Sequence, residues 1–432
     1  MSIHIDGHSS TAVVDDIFVG LGWEMFSFLH NLPYLGEERC RMLVRGLAPS
    51  RVRVGGITAD WVRYVFENNN NNNDGSVSAM EAAGSAAVTH EDTASSANER
   101  AFLSASLHSN GRGRSQQALG NFWPDQPSNL TTDNFTALVE FFGAVGVDFV
   151  FDLNELYGRD CHYQNTTHCV GDWDTSNVKA FLEWIRDNDM VAPHTRLTGF
   201  ELGNELTRSD HIDMPTQTRD VLELTAIFAE VWPNASSRPP LFAPSTDICN
   251  DDVRYLMNHT VGKLSGVTYH SYPGLGGQLL GEQLTDVQWL RESVFINDKH
   301  ASSAECVNIW RNEGFRAAGM KLWLTESSSS YNYTAGTMNT FFNGFWYVAS
   351  LGQYAAQGVG FHARWSLMSE DTHGAFGIVY RQKNGTWLVE PDYWVALLHT
   401  RLMGSAVLDV TLPSDGPALV YVCVCVCVYS GL

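Results

Sequence analysis

Short apolar runs recur along the chain, and each ends on polar or charged residues. They cover residues 17–23 (ending at Glu24), 51–54 (Gly55-Gly56), 147–153 (Asn154-Glu155) and 197–202 (Gly203-Asn204-Glu205). Four more cover 241–243 (Pro244 and Asp247), 267–269 (His270), 322–324 (Thr325-Glu326) and 359–362 (Arg364-Trp365). Runs of this length without strict alternation fit strands buried on both faces. Helix-period segments separate most of them, at 37–45, 133–145, 177–188, 218–231, 252–264, 286–295 and 338–357, and an eighth starts near Pro391 and stops at Gly404. Strand–helix alternation repeated eight times predicts an α/β fold, a (β/α)8 TIM barrel over residues 17–404. An open doubly wound sheet is disfavoured, because no Gly-rich phosphate turn follows the first strand.

One stretch breaks the pattern. Six asparagines at 68–73 lead into a Ser/Ala/Glu-rich segment reaching about Arg112. Such a composition buries too little apolar surface to order itself, so a disordered surface insertion is expected over about 68–112.

The barrel has a functional consequence. In this architecture catalytic side chains come from the C-terminal ends of the strands, so the eight polar ends should converge on one cleft. Glu205 ends the fourth run and Glu326 the seventh, 121 residues or three βα units apart. The fourth and seventh strands face each other across a barrel mouth. Two carboxylates there can approach to about 5 Å, the spacing for glycoside cleavage with retention. One must hold a proton for the leaving oxygen and the other must attack the anomeric carbon as an anion. Mutual repulsion and unequal burial drive their pKa values apart. Asn204, directly before Glu205, is suited to bond a sugar 2-hydroxyl.

Bulk properties narrow the partners. The 432 residues are 44% hydrophobic, ample for a large core, and carry a formal net charge of −21 from 27 basic and 48 acidic residues. That balance disfavours nucleic acid and anionic membranes, which need a basic footprint. No apolar run is long enough to span a membrane, and no secretory h-region opens the chain. Yet N-x-S/T sequons occur at Asn129, Asn134, Asn165, Asn234, Asn258, Asn332 and Asn384, where composition alone predicts roughly two or three. The expectation is a secreted, extracellular or lysosomal/vacuolar protein whose signal peptide is not part of this sequence. Of the eight cysteines, Cys161 and Cys169 flank a short polar loop and are the expected disulfide pair; none has zinc-site spacing. The run of alternating Val and Cys at 422–428, followed by an abrupt end, reads as a sequence cut short.

Several segments together resemble glycoside hydrolase family 79, the heparanase and β-glucuronidase family, in its plant-type form particularly. Phe200-Glu201-Leu202-Gly203-Asn204-Glu205 is similar to its acid/base motif, and Leu322-Trp323-Leu324-Thr325-Glu326-Ser327 through Tyr331 to its nucleophile segment. Arg53-Val54-Gly55-Gly56 with Asp60, Asp152-Leu153-Asn154-Glu155-Leu156, Thr268-Tyr269-His270-Ser271-Tyr272, and Pro391 through Gly404 resemble further segments in the same order. The resemblance implies Glu205 as acid/base and Glu326 as nucleophile. It implies substrate contacts from Glu24, Asn154, Asn204, His270, Tyr272, Tyr331 and Arg364, with Arg53 and Asp60 in support. The implied reaction is retaining cleavage of β-glucuronide linkages in a glucuronate-containing carbohydrate by a monomer that needs no cofactor or metal. A β-glycosidase for neutral sugars, a heparan sulfate endo-glucuronidase, and an inactive glycan-binding or truncated product remain open.

Two departures bear on specificity. Glu24 stands where the family usually has Asp, and Asn332-Tyr333-Thr334-Ala335-Gly336 replaces the Gly-rich turn whose amides cradle the uronate carboxylate. The resemblance also implies a β-sandwich built from both chain ends. Here residues 1–16 would supply at most one strand and 405–432 only a remnant, so the expected sandwich is incomplete.

Overall fold

A computed structural model describes residues 4–66, 128–161, 169–191, 193–207, 212–247, 249–272, 303–329, 338–369 and 376–411. The expected insertion, the helix expected at 286–295, Tyr331 with the turn after it, and the Val/Cys run lie outside these residues. Eight parallel strands close into a barrel: Val19–Glu24, Arg51–Gly55, Asp148–Leu153, Leu197–Leu202, Leu241–Thr246, Gly266–Ser271, Lys321–Ser327 and Phe361–Trp365. They are called the first to eighth strands below. Each pairs with its neighbour in the chain, and the eighth closes on the first, with Ala363 opposite Gly20. The fold is the (β/α)8 barrel that the alternation predicts.

The helices form where apolar periodicity and caps coincide. Thr131 accepts the Asn134 amide to open the helix Thr132–Val145, which stops at Gly146 in the left-handed region. Asp213 accepts the Thr216 amide ahead of the helix Met214–Val231, with Pro215 in its first turn. Phe135, Phe141, Phe142 and Phe181 turn inward from their helices onto the outer faces of the strands. Phe135 meets Phe151 edge-on with centroids 5.0 Å apart.

The pleat then sorts the strand residues. Val150, Phe242, Trp323, Phe361 and Ala363 form a separate apolar cluster inside the barrel, with Phe242 and Trp323 stacked at 3.8 Å. The Phe361 ring fits only because Gly20 faces it, where a Cβ would lie 2.0 Å from the ring. This plug is the floor of the site. Because side chains alternate, Asp152 points inward two residues after Val150, and Arg53 enters from the neighbouring strand to meet it.

The seventh strand carries an irregularity that matters for chemistry. Tyr269 pairs with Leu324, but His270 pairs with Glu326, so Thr325 is an extra residue. Thr325 bonds Glu201 inside the barrel, and strict alternation would turn the next side chain outward. The bulge instead aims Glu326 into the mouth as well.

One further element departs from the expectations. A disulfide joins Cys249, just after the fifth strand, to Cys306 in the helix Ser303–Asn312, 57 residues away, and nothing in the spacing signals it. Cys161 and Cys169 are register partners in a short antiparallel pair, and Cys169 is disulfide-bonded. His4–Val13 pairs antiparallel with Ala406–Thr411, so the two ends of the described chain meet in a two-stranded sheet outside the barrel.

Phe135 is fully buried among Phe151, Phe181 and Trp184. Truncation there leaves a cavity that the surrounding rings cannot fill, so Phe135→Ala should lower the unfolding free energy by about 3–5 kcal/mol in urea denaturation.

Candidate active site

The residues above the apolar floor are polar and buried, and they are organised around one cation. The Arg53 guanidinium is completely enclosed. Its Nε donates to Glu201 Oε2 at 2.6 Å and its Nη1 to Glu326 Oε2 at 2.9 Å. Its Nη2 lies 2.8 Å from Asp152 Oδ2, 2.9 Å from Asn204 Oδ1 and 2.7 Å from Ser245 Oγ. Burial alone would lower the pKa of this group. The carboxylates of Glu201, Asp152 and Glu326 more than offset that and raise it.

Glu326 has partners on both oxygens: Oε2 accepts from Arg53, and Oε1 accepts from the Tyr272 hydroxyl at 2.5 Å. Its pKa is raised, first by burial and then by the Glu205 charge, while His270, Arg53 and Tyr272 act in the opposite sense.

Glu205 is held differently. Its backbone lies in the left-handed region at φ +51°, uncommon for a residue with a side chain, and its amide is fixed by the Ser245 carbonyl at 2.9 Å. Its Oε1 lies 2.7 Å from His270 Nδ1. The other ring nitrogen, Nε2, lies 2.8 Å from Ser245 Oγ, the hydroxyl that Arg53 also binds. Burial lowers the His270 pKa, which favours a neutral ring.

Asn204 is gripped at two points: its amide donates to Asp60 Oδ2 at 3.0 Å and its side-chain oxygen accepts from Arg53. Glu24 enters from the first strand. Thr58 donates to its Oε1 through both the backbone amide, at 3.2 Å, and the hydroxyl. Burial pushes its pKa up to about 7. Its Oε2 lies over Gly56, whose φ of +97° and missing Cβ are both required, since a Cβ would come within 2.0 Å of that oxygen.

The structure thus brings Glu24, Arg53, Asp60, Asn204, Glu205, His270, Tyr272 and Glu326 together. Two expected residues are elsewhere. Asn154 spends its side-chain amide on the Val62 carbonyl at 2.5 Å, and the Tyr64 hydroxyl lies 3.1 Å from its backbone amide. It fastens the loop after the second strand rather than meeting a substrate. Arg364 lies on the outer face of the eighth strand, on the same side as His362, whose ring packs against Phe18, Tyr347 and Tyr354. Its Nε donates to Asp392 Oδ2 at 2.8 Å in the last helix, and Asn343 binds the same oxygen. The next residue, Trp365, points to the cleft, over Gly22 and Gly56. Glu201, Asp152 and Ser245 were missed as site residues. The parity shared with Asp152 and Arg53 was a usable signal for Glu201; nothing local marks Ser245, whose φ of +53° is set by the fold.

Glu205, His270 and Glu326 are also the described residues best placed to hold a cation, with ligand atoms within 4.8 Å of one another. Those atoms are engaged by Tyr272, Arg53 and Ser245, and a cation would sit against a guanidinium that is already positive. The donor set therefore fits a proton-handling carboxyl pair better than a metal centre.

Known structures share the barrel fold. The Bifidobacterium longum family 51 α-L-arabinofuranosidase AbfB superposes with a TM-score of 0.59 at 10% identity, covering 95% of this chain and 78% of that one. A β-xylosidase from Caulobacter crescentus superposes at 0.54 with 13% identity, covering 95% and 73%. At such identities the likeness is one of fold. In sequence, baicalin-β-D-glucuronidase of Scutellaria baicalensis is 28% identical over 308 residues, 68% of this chain and 55% of that protein. Heparanase-like protein 2 of Arabidopsis thaliana is 28% identical over 278 residues, covering 62% and 47%. The chain thus spans about half the length of these relatives. Residues 119–352 match the N-terminal domain of glycosyl hydrolase family 79. The chain belongs to glycosyl hydrolase family 79.

Proposed function

We propose that the protein hydrolyses β-glucuronide linkages with retention of configuration. The observation that carries this reading is the unequal setting of two facing carboxyls whose oxygens approach within 4.8 Å. That approach is in keeping with the short separation of double displacement and leaves too little room for the water of an inverting enzyme. Glu326, flanked by a guanidinium and a phenol, is the nucleophile. Its lone pair forms the bond to the anomeric carbon as the bond to the leaving oxygen breaks. Glu205 gives that oxygen its proton, then takes one from the water that attacks the glycosyl–enzyme ester, freeing the sugar and restoring Glu326.

The surrounding network supports these roles. Arg53 donates to Ser245 Oγ, so the Ser245 hydroxyl is free to donate to His270 Nε2. A neutral ring then carries its hydrogen on Nδ1 and donates to Glu205 Oε1. The Glu205 carboxyl, oriented in this way, carries the travelling proton. Asn204, with its oxygen held by Arg53, keeps its NH2 for the sugar 2-hydroxyl. The glucuronide preference rests on family membership and on the baicalin-β-D-glucuronidase relative. Hydrolysis of p-nitrophenyl β-glucuronide against the β-xyloside and β-glucoside tests it; faster turnover of either neutral glycoside would replace it with a neutral-sugar β-glycosidase.

A glucuronate-configured cyclophellitol should esterify Glu326, found by peptide mass spectrometry, and should leave Glu326→Gln unlabelled. Label on another residue removes the nucleophile assignment. Glu205→Gln should lose about 10²–10⁴-fold in kcat/KM on glucuronides with poor leaving groups, and much less on the nitrophenyl substrate, which needs little protonation.

The pH dependence has a definite sign. Activity requires ionised Glu326, so kcat/KM rises with pH through its raised pKa, and Tyr272 holds that pKa down by donating to the anion. Tyr272→Phe should therefore move the acidic limb up by about 1 pH unit, equivalent to losing a hydrogen bond of ~1.4 kcal/mol. An acidic limb that stays in place or moves down contradicts this role for Tyr272.

A further inference from the structure

Asp60 sits beneath Asn204 in the 3-10 turn Ile57–Trp61 that follows the second strand, and is 1% exposed. The turn is bound to the end of the third strand, since the Asp60 carbonyl accepts the amides of Leu156 at 3.1 Å and Tyr157 at 2.9 Å. The Asp60 carboxyl uses Oδ2 to accept the Asn204 amide, while Oδ1 is buried with no partner among the described residues. Asp152 is similar: Oδ2 accepts from Arg53, the Gly56 amide also acts on the carboxyl, and Oδ1 is buried with no well-formed hydrogen bond among the described residues. Two neighbouring carboxyls thus each hold one part of the frame, and each has one buried oxygen with no well-formed hydrogen bond among the described residues.

The charges around them cannot all be negative. Asp60 is surrounded by Asp152 and Glu155 at the end of the third strand, by Arg53 from the second, and by the Tyr64 phenol. Asp152 additionally faces Glu201 and Glu24. Glu155 accepts from Gln217 in the helix Met214–Val231, and its nearest cation, Arg159, is ion-paired with Asp220. Arg53 is the cation at the centre, and its hydrogen bonds go to Glu201, Glu326 and Asp152. Asp60 has a backbone amide and no salt bridge among the described residues. A buried carboxylate with one neutral donor is far less favourable than a carboxylic acid.

We propose that Asp60 works as a neutral carboxylic acid, a positioning residue whose proton rests on Oδ1 and answers the unpartnered Oδ1 of Asp152, while Oδ2 seats the Asn204–Glu205 turn. Each oxygen then has a task. Asp152 keeps its negative charge for Arg53, Asp60 adds none, and the two residues that grip Asn204, Asp60 and Arg53, are linked through Asp152. Burial first, then the Asp152 and Glu155 carboxyls, raise the Asp60 pKa; burial raises that of Asp152 as well, but there the bonded Arg53 acts against it, and Asp60 has no bonded cation among the described residues.

An amide reproduces a neutral carboxyl in shape and in its one needed donor and acceptor, which gives the test. In its activity arm the proposal rests on the glycosidase reading. On p-nitrophenyl β-glucuronide, Asp60→Ala should lose roughly a hundredfold in kcat, the scale of a misplaced catalytic group, and Asp60→Asn should recover to within about tenfold of the parent. The second arm needs no substrate. A carboxyl whose pKa is raised by folding contributes stability that is present at low pH and lost as pH rises through the folded-state value. The Tm of Asp60→Asn minus that of the parent should therefore grow from about pH 4 upward. A third measurement reads the proton itself, as an infrared carboxylic-acid C=O band at neutral pH that vanishes in Asp60→Asn.

Asp60→Asn as inactive as Asp60→Ala with its circular dichroism intact would overturn the proposal. So would a Tm difference that stays flat with pH, a missing acid band, or an Asp60→Asn chain that does not fold. Loss of glucuronidase activity in the parent protein would strike the proposed reaction and leave the Tm and infrared arms standing.

Discussion

Everything at the mouth of the barrel depends on burying one guanidinium in a place where it cannot be solvated. Taking Arg53 out of water costs several kcal/mol, recovered only by well-placed acceptors. Glu201, Asp152, Glu326, Asn204 and Ser245 supply them from the third, fourth, fifth and seventh strands and the loops at their ends. The guanidinium is planar and presents its donors in a fixed fork, so these acceptors must lie in set directions. Arg53 therefore acts as a template: strand register, the seventh-strand bulge and the turn before Glu205 must agree with it at once. A lysine would keep the charge and lose the directions.

That template makes two chemically identical side chains unlike. Glu326 lies beside the cation, with both oxygens bonded, an arrangement that favours its anion and so fits the proposed attack. Glu205 is linked to the same cation through His270 and Ser245, two groups that orient a carboxyl without fixing its charge. Backbone geometry adds to the difference. Glu205 and Ser245 both adopt left-handed φ values, conformations that cost about 1–3 kcal/mol each and persist where surrounding structure imposes them. Here each is locked to the other by the Glu205 amide and the Ser245 carbonyl.

The barrel was legible in the sequence because a strand buried on both faces must be apolar, and eight such runs leave little choice of architecture. The carboxyl pair was legible because strand ends are where this fold places its chemistry. What eluded periodicity was anything decided by pleat or by distant partners. A shift of one residue exchanges the two faces of a strand, and that is the difference between Arg364, bound outside to Asp392, and Trp365, which lines the cleft. Asn154 has the right parity and the right position, yet its amide is drawn off by the Val62 carbonyl of another loop. Glu201 reads as an ordinary acid in its own segment and gains meaning only opposite Arg53, 148 residues earlier. The Cys249–Cys306 bridge is non-local in the same way.

The balance of charge in the pit also constrains how a uronide would bind. Six acidic side chains, Glu24, Asp60, Asp152, Glu155, Glu201 and Glu326, are gathered around a single central guanidinium. Among the described residues, the hydrogen bonds of that guanidinium already go to acceptors of the protein itself. The neutral hydroxyls of a bound sugar can face it, accepting from Asn204 and donating to Glu24 or to the carboxyls below. In the proposed reaction a uronate carboxylate would be expected to turn away from this layer. On that proposal, the feature that separates a glucuronide from a neutral glycoside would be read away from Arg53, while the proposed bond-breaking layer would be common to both. On this fold, sugar specificity can change at the rim with the catalytic pair and its template left as they are.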